Sequence, residues 1–164
     1  MTAKDAQDKL RKLADPVLAA SATRFFKTGP GEYGENDVFL GLRAATLREL
    51  AKEHQALPLE EVEALLQSEV HEDRSLALLI LVRAVAKAPD ALRKQVYDFY
   101  RSNTRFVNNW DLVDGSAPTL VGGYLVDKSR KALVGLAKSK SLWERRIAIV
   151  ATQHFRWTRT RWPG

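Results

Sequence analysis

The stretch Ser75–Val85, SLALLILVRAV, decides the fold because it is apolar around nearly the whole circumference of a helix. Its length and composition favour a central buried helix over a strand. Pro89 then ends this helix and begins the next one, since proline is tolerated in the first turn of a helix but not in its interior. The middle of the chain is therefore predicted to be helical and buried.

Apolar residues on both sides of this stretch recur at the three- and four-residue spacing of amphipathic helices. Such stripes run through 18–26, 47–51, 62–66 and 92–100, and we interpret each first as a core-facing surface. An alternating strand pattern with hairpin turns appears nowhere in the sequence. The pattern predicts an all-α protein.

The predicted helices group into antiparallel pairs at a spacing typical of helical repeat proteins. In a solenoid each pair buries its apolar face against the next, and pairs begin roughly thirty to forty residues apart. We predict an α-solenoid of antiparallel helix pairs, a single repeat domain over 1–155, although a plain helical bundle has the same periodicity. The pairs begin near Lys4, Arg43, His71, Asn109 and Ser141.

The end of the chain departs from this pattern. Residues 156–164 (RWTRTRWPG) are basic and aromatic without an amphipathic stripe, so an irregular tail is predicted there. The helix that begins near Ser141 then has no partner helix after it. Its uncovered apolar face is a candidate surface for self-association.

The composition is basic and free of cysteine. The 164 residues include 26 Lys and Arg against 20 Asp and Glu, which gives a net charge of +6. The lack of cysteine excludes a disulfide framework, a thiol nucleophile and a zinc–cysteine cluster. An interleaved basic excess suits a polyanionic partner, although many proteins are mildly basic for no specific reason. With a polar N-terminal segment and no run that could span a bilayer, we expect a cytoplasmic protein with no membrane partner.

The segment Asn108–Asp114, NNWDLVD, carries the first group of candidate site residues. If Asn109 caps a helix, Trp110 and Asp114 lie one turn apart on the same face. Asp111 falls in the first turn, where the helix dipole favours an anion, so a structural role is the stronger interpretation for it. Asp114 has largely apolar neighbours, and a carboxylate beside an indole face can hold a cation.

The segment Trp143–Val150, WERRIAIV, carries the second group. Ser141 and Glu144 have the spacing of a capping box at the start of this helix. Arg146 is either the buried partner of an acidic group or a phosphate ligand at the edge of an apolar face, and we weigh the two equally. The apolar residues that share its face are Leu142, Trp143, Ile149 and Val150.

Four motifs, in their order and spacing, resemble the HEAT-like repeat DNA glycosylases that excise alkylated purines. The resemblance extends from about Phe25 to Val150 and implies an α-solenoid whose concave, basic surface holds the backbone of duplex DNA. The motifs are Phe39–Arg43 with Leu47-Arg48, His71–Arg74, Asn109–Asp114 with Pro118-Thr119, and Trp143–Arg146.

The resemblance also implies a monofunctional glycosylase that needs no metal and no other cofactor. Its partner is double-stranded DNA with cationic N3- or N7-alkylpurines, whose N-glycosidic bond it hydrolyses. An inward-facing Trp and Asp of the family lie against the deoxyribose of the damaged nucleotide, and Trp110 and Asp114 match them by position. Arg146 matches the family's phosphate-binding arginine. Weaker candidates for contact with DNA are Arg43, Arg48, Arg74 and Phe25.

Family members continue past the Arg146 helix through further repeats, which supply another inward-facing aromatic residue. This chain resembles a member shortened at its C-terminal end. Neither Trp157 nor Trp162 stands in the helical context of that aromatic residue, so neither is assigned to its role. The alternative function is a non-catalytic HEAT-like module that binds DNA or a protein.

Overall fold

The backbone of the chain is helical in the computed structural model, which describes residues 1–159. Among these residues the only extended pairing is an isolated parallel bridge between Val38 and Val70. Contacts divide the chain into two compact units, Met1–Arg83 and a second that begins at Ala84. The all-α prediction is confirmed, whereas the solenoid arrangement and the single repeat domain stay predictions.

The first unit is built from helices with well-formed ends. Thr2 and Asp5 form a capping box at the start of the first helix, with hydrogen bonds of 3.2 and 2.7 Å. Asp15 accepts the N–H of Val17 at 2.9 Å and thereby caps the second helix. The helices are α1 (Ala3–Lys12), α2 (Pro16–Phe25), α3 (Ala44–Glu53), α4 (Leu59–Leu66) and α5 (His71–Val85), of which the last two residues belong to the second unit.

The long connection between α2 and α3 is tied to the first turn of α5. The buried carboxylate of Glu72 accepts the backbone N–H groups of Leu40, Gly41 and Leu42 at 2.9, 2.8 and 3.3 Å. Gly41 has a φ of +83°, and a Cβ there would lie 2.2 Å from the carbonyl oxygen of Asp15. Only glycine fits this position, so the chain enters α3 along a fixed path.

The second unit contains a helix that changes its hydrogen-bond pattern part-way. A π-helical segment, Pro118–Gly122, lies where the proline lacks the N–H of a regular α-helical turn. A 3-10 turn, Thr104–Phe106, precedes this helix. The remaining helices are α6 (Asp90–Ser102), α7 (Trp110–Ala117), α8 (Gly123–Leu125), α9 (Lys131–Ala137), α10 (Leu142–Ala151) and α11 (Gln153–Arg159).

The course of α11 corrects the prediction of an irregular tail over 156–164. The helix continues to Arg159, while residues 160–164 lie outside the part that the structure describes. It follows α10 directly and packs against both α10 and the π-helical segment. The helix from Ser141 is therefore followed by a helical neighbour. The sequence did not predict α11, because its aromatic and basic residues form no apolar stripe.

Candidate active site

Asn109 fixes the start of the helix that carries Trp110 and Asp114. Its side chain accepts the N–H of Trp110 at 2.8 Å, and the residue is fully buried at the N-cap of α7. The predicted cap is confirmed. Trp110 and Asp114 are both partly exposed and stand one turn apart on this helix, as the spacing predicted.

Asp114 and Arg146 form a bidentate ion pair. The guanidinium donates from Nε to Oδ1 at 2.8 Å and from Nη2 to Oδ2 at 2.7 Å. Helix α10 packs against α7, which brings the two residues together across 32 positions of sequence. This hydrogen bonding raises the pKa of Arg146 further above its ordinary value, so the guanidinium is a permanent cation.

The exposure of this pair separates the two interpretations of Arg146. The side chain of Arg146 is 41% exposed and that of Asp114 is 37% exposed. Arg146 is thus the partner of an acidic group, as one interpretation held, but the pair is not buried. Nη1 makes no hydrogen bond to any residue in the described part of the chain, so one edge of the guanidinium can still meet a ligand.

The surface of α10 around Arg146 is apolar and open. Leu142 and Ile149 share its face and are 54% and 70% exposed. Large exposed apolar side chains beside a charged pair exclude water once a ligand covers them, and this strengthens the electrostatic interactions of the pair.

Three of the weaker DNA-contact candidates lie on the surface of the first unit. Arg43 and Arg48 are exposed at the start and in the middle of α3. Phe25 is 64% exposed at the end of α2 and packs edge-on against Phe26, with ring centroids 5.1 Å apart. The prediction that the 18–26 stripe faces the core is wrong, because α2 contains no buried residue.

Arg74 occupies a different environment, which corrects its assignment as a DNA-contact candidate. It is 3% exposed and donates to Asp37 at 2.5 Å and to the backbone carbonyls of Ser68 and Glu69 at 2.9 and 3.1 Å. A guanidinium committed to these partners inside the first unit cannot reach a DNA phosphate. Its role is to hold the segment before α5.

The family model for DNA alkylation repair enzymes matches residues 6–160. The chain belongs to the DNA alkylation repair enzyme family. No curated protein and no solved structure matches it. Membership indicates a role in the repair of alkylated DNA.

Sequence reasoning missed how the second unit positions the helix that carries Arg146. Ser141 accepts the N–H of Glu144 at 3.3 Å, but the Glu144 carboxylate accepts from the Thr104 hydroxyl at 2.6 Å and does not close a capping box. Hydrogen bonds from Ser139 and Thr104 lower the pKa of Glu144. Arg145 donates to the carbonyl of Ser139 at 2.8 Å. These contacts join the start of α10 to other parts of the second unit, and no local sequence signal shows them.

The described residues contain no cluster of three or more His, Cys, Asp or Glu side chains that could hold a metal ion. No helix in the described part of the chain is both long and apolar enough to cross a bilayer. Trp157 and Trp162 lie outside the residues whose side chains are described.

Proposed function

We propose that the chain is a monofunctional DNA glycosylase that hydrolyses the N-glycosidic bond of cationic N3- and N7-alkylpurines in duplex DNA. The observation that carries the proposal is the partly exposed Asp114 carboxylate, one helical turn from Trp110 and held by both hydrogen bonds of Arg146. Family membership supports alkylated DNA as the substrate. The chemistry requires only a water molecule, a leaving base and stabilisation of positive charge on the sugar.

The strength of this stabilisation selects the substrate. A carboxylate about 4 Å from the developing sugar cation is worth on the order of 4 kcal/mol at an effective dielectric constant near 20. A tryptophan face adds roughly 0.5 to 2 kcal/mol. The sum falls short of the ~8 kcal/mol at the low end of enzymatic rate enhancements. The pair is therefore sufficient only for a base that is already a good leaving group, which a cationic alkylpurine is and an undamaged purine is not.

Arg146 controls how much of the Asp114 charge the sugar experiences. With the guanidinium a few ångströms behind the carboxylate, its opposing charge cancels roughly half of the attraction. A DNA phosphate bound at the remaining edge of the guanidinium neutralises Arg146. The phosphate, Arg146 and Asp114 together then carry a net charge of about −1. Binding of the backbone and stabilisation of the sugar cation are thereby coupled through one side chain.

The remainder of the proposed DNA surface comes from the basic side chains of the first unit. Arg43 and Arg48 are exposed and contact the backbone, with Phe25 as an additional DNA-binding residue. We further propose that the helices form antiparallel, HEAT-like pairs, the arrangement of helical repeat proteins. Contacts of this kind position the duplex and carry no sequence information.

One observation favours a second candidate, a non-catalytic DNA-binding module. Both oxygens of Asp114 are engaged by Arg146, and a carboxylate that stays engaged is a weaker stabiliser of a cation. In this alternative, α10 and α7 form a binding surface without chemistry.

Base release distinguishes the two functions. The intact chain, in excess over duplex DNA with one 7-methylguanine, should release that base, and the matched duplex with guanine should remain intact. A duplex with an uncharged modified purine serves as the control for leaving-group activation and should also remain intact. Binding of the methylated duplex without release would support the binding module and contradict the glycosylase.

A further inference from the structure

A pocket lies in the second unit, separate from the residues proposed to act on DNA. Its volume is about 180 Å³, and Trp110, Asp114 and Arg146 are not part of its lining. Its lining comes mainly from the π-helical segment, α6, α8 and α11. Its polar lining residues are Arg93, Thr119, Tyr124 and His154, and its apolar walls include Val85 and Leu120.

Arg93 is the unusual member of this lining. Its Nε atom is buried and has no hydrogen-bond partner among the described residues. Within the same part of the chain no carboxylate lies within ion-pair distance of it. A buried guanidinium N–H without an acceptor costs free energy, and nearly all such groups in proteins have a partner. An acceptor supplied by a ligand would remove that cost.

The acids on this side of the unit are exposed and bind another cation. Lys128 and, more weakly, Arg93 lower the pKa of Asp127, which is 76% exposed and pairs with Lys128, as does Asp90, which is 68% exposed. Burial and the charge of Arg93 lower the pKa of His154, so its ring stays neutral near pH 7. An anion is therefore the ligand that this environment favours.

Two glycines give the pocket its shape. Gly122 lets the end of α10 approach closely, since a Cβ there would lie 2.2 Å from the carbonyl oxygen of Ala151. This contact places His154 over Gly123, where an added Cβ would meet the ring at an ordinary 3.5 Å. The space beside Gly123 is thus large enough for a methyl group and is part of the pocket.

We propose that this pocket binds a small organic anion, a carboxylate or phosphate monoester on a single ring or short apolar body. Arg93 is the anchor, because its Nε–H and an adjacent Nη–H form a fork that matches two oxygens of such a group. Thr119 adds a hydrogen bond, and Tyr124 with Leu120 covers the apolar part. The volume is smaller than the ~300 Å³ at which pockets for drug-sized ligands begin, so the ligand is small. The inference does not depend on glycosylase activity.

Calorimetry and NMR of the full chain with benzoate, phenyl phosphate and inorganic phosphate test this site. Phenyl phosphate or benzoate should shift the Arg93 Nε–H signal. The probe that binds more tightly shows whether the site prefers a phosphate or a carboxylate. Arg93→Gln should lower the affinity for the tighter-binding probe about tenfold or more, the usual effect of losing a hydrogen bond to a charged group. Arg105→Gln removes one exposed positive charge elsewhere in the unit and should leave binding unchanged.

Gly123→Ala provides an independent test that does not remove a charge. Its methyl group occupies the pocket without a clash, so phenyl-bearing probes should bind more weakly while the folded state persists. Arg93→Gln without ligand should melt no lower than the parent, because it removes an unpartnered buried group.

Three results would overturn the proposal. One is the absence of probe binding at millimolar concentration. The second is an equal loss of probe affinity in Arg93→Gln and Arg105→Gln, which would mean that binding depends only on the net charge of the protein. The third is displacement of phenyl phosphate by undamaged duplex DNA, which would make the pocket part of the DNA surface.

Discussion

At the scale of single residues, the Asp114–Arg146 pair has to be assigned either to stability or to chemistry. Loss of one partner from a buried pair typically costs about 3 to 5 kcal/mol, because an uncompensated charge is left inside. An exposed pair contributes roughly 0 to 1 kcal/mol, since water screens both charges. With 37% and 41% of the two side chains exposed, this pair belongs nearer the second case.

The first prediction follows from that exposure. Asp114→Asn should change the free energy of unfolding by no more than about 1 kcal/mol, because the arginine left behind is still hydrated. Thermal and urea melts beside the parent chain measure it. A loss of about 3 kcal/mol would show that the carboxylate is held for the fold and would remove the reason for assigning it to chemistry.

At the scale of elements, the sequence predicted burial best for a helix that is apolar around nearly its whole circumference. Helix α5 is apolar on nearly all sides, and Leu76, Ile80 and Leu81 are at most 2% exposed. The stripe in α2 predicted a core face that is not there, because periodicity shows which residues share a face and not whether another element covers it.

The site was predictable in part for the same reason. The spacing of Trp110 and Asp114 is local and follows from helix geometry once Asn109 caps α7. The partner of Asp114 is 32 residues away, so only the packing of α10 against α7 could identify it. The sequence likewise showed neither that Arg74 is buried beside Asp37 nor that Glu144 binds Thr104, since both are tertiary contacts.

The carboxylate of Glu72 gives the second prediction, at the level of a loop and a helix. Glu72→Gln should destabilise the chain by roughly 1 to 3 kcal/mol, because an amide NH₂ group would face backbone N–H donors that now share a carboxylate. Glu60→Gln, at an exposed position in the first turn of α4, is the matched control and should cost far less. Urea denaturation of both variants measures the two losses of unfolding free energy. Equal losses would contradict the role of Glu72 in holding the connection before α3.

At the scale of the whole molecule, charge sets the expected mode of DNA binding. The chain carries a net charge of +6 without a run of basic residues. Binding through phosphates alone is insensitive to sequence and weakens steeply as salt rises, because condensed counterions are released on association. We therefore expect weak, salt-dependent binding to any duplex, with lesion selectivity arising at the chemical step.

Salt titrations provide the third prediction. Replacing Arg43, Arg48 or Arg146 by Gln should each lower the slope of log affinity against log salt by about one, the value for loss of one phosphate contact. Arg74→Gln should destabilise the fold and leave that slope unchanged in the folded protein, since Arg74 is buried. Fluorescence anisotropy with an undamaged duplex measures these slopes. An affinity that does not change with salt would contradict the account of the interface.

The most direct test of the central claim is the single-turnover rate of 7-methylguanine release by Asp114→Asn. The parent chain should release the base, and the variant should be slower by up to about a thousandfold, the factor that corresponds to ~4 kcal/mol of lost charge stabilisation. Asp98→Asn is the matched control, since Asp98 is also an exposed, ion-paired carboxylate on a helix of the second unit, and its rate should equal the parent's. Release by Asp114→Asn at the parent rate, with the variant folded, would contradict the assignment of Asp114 to the sugar cation.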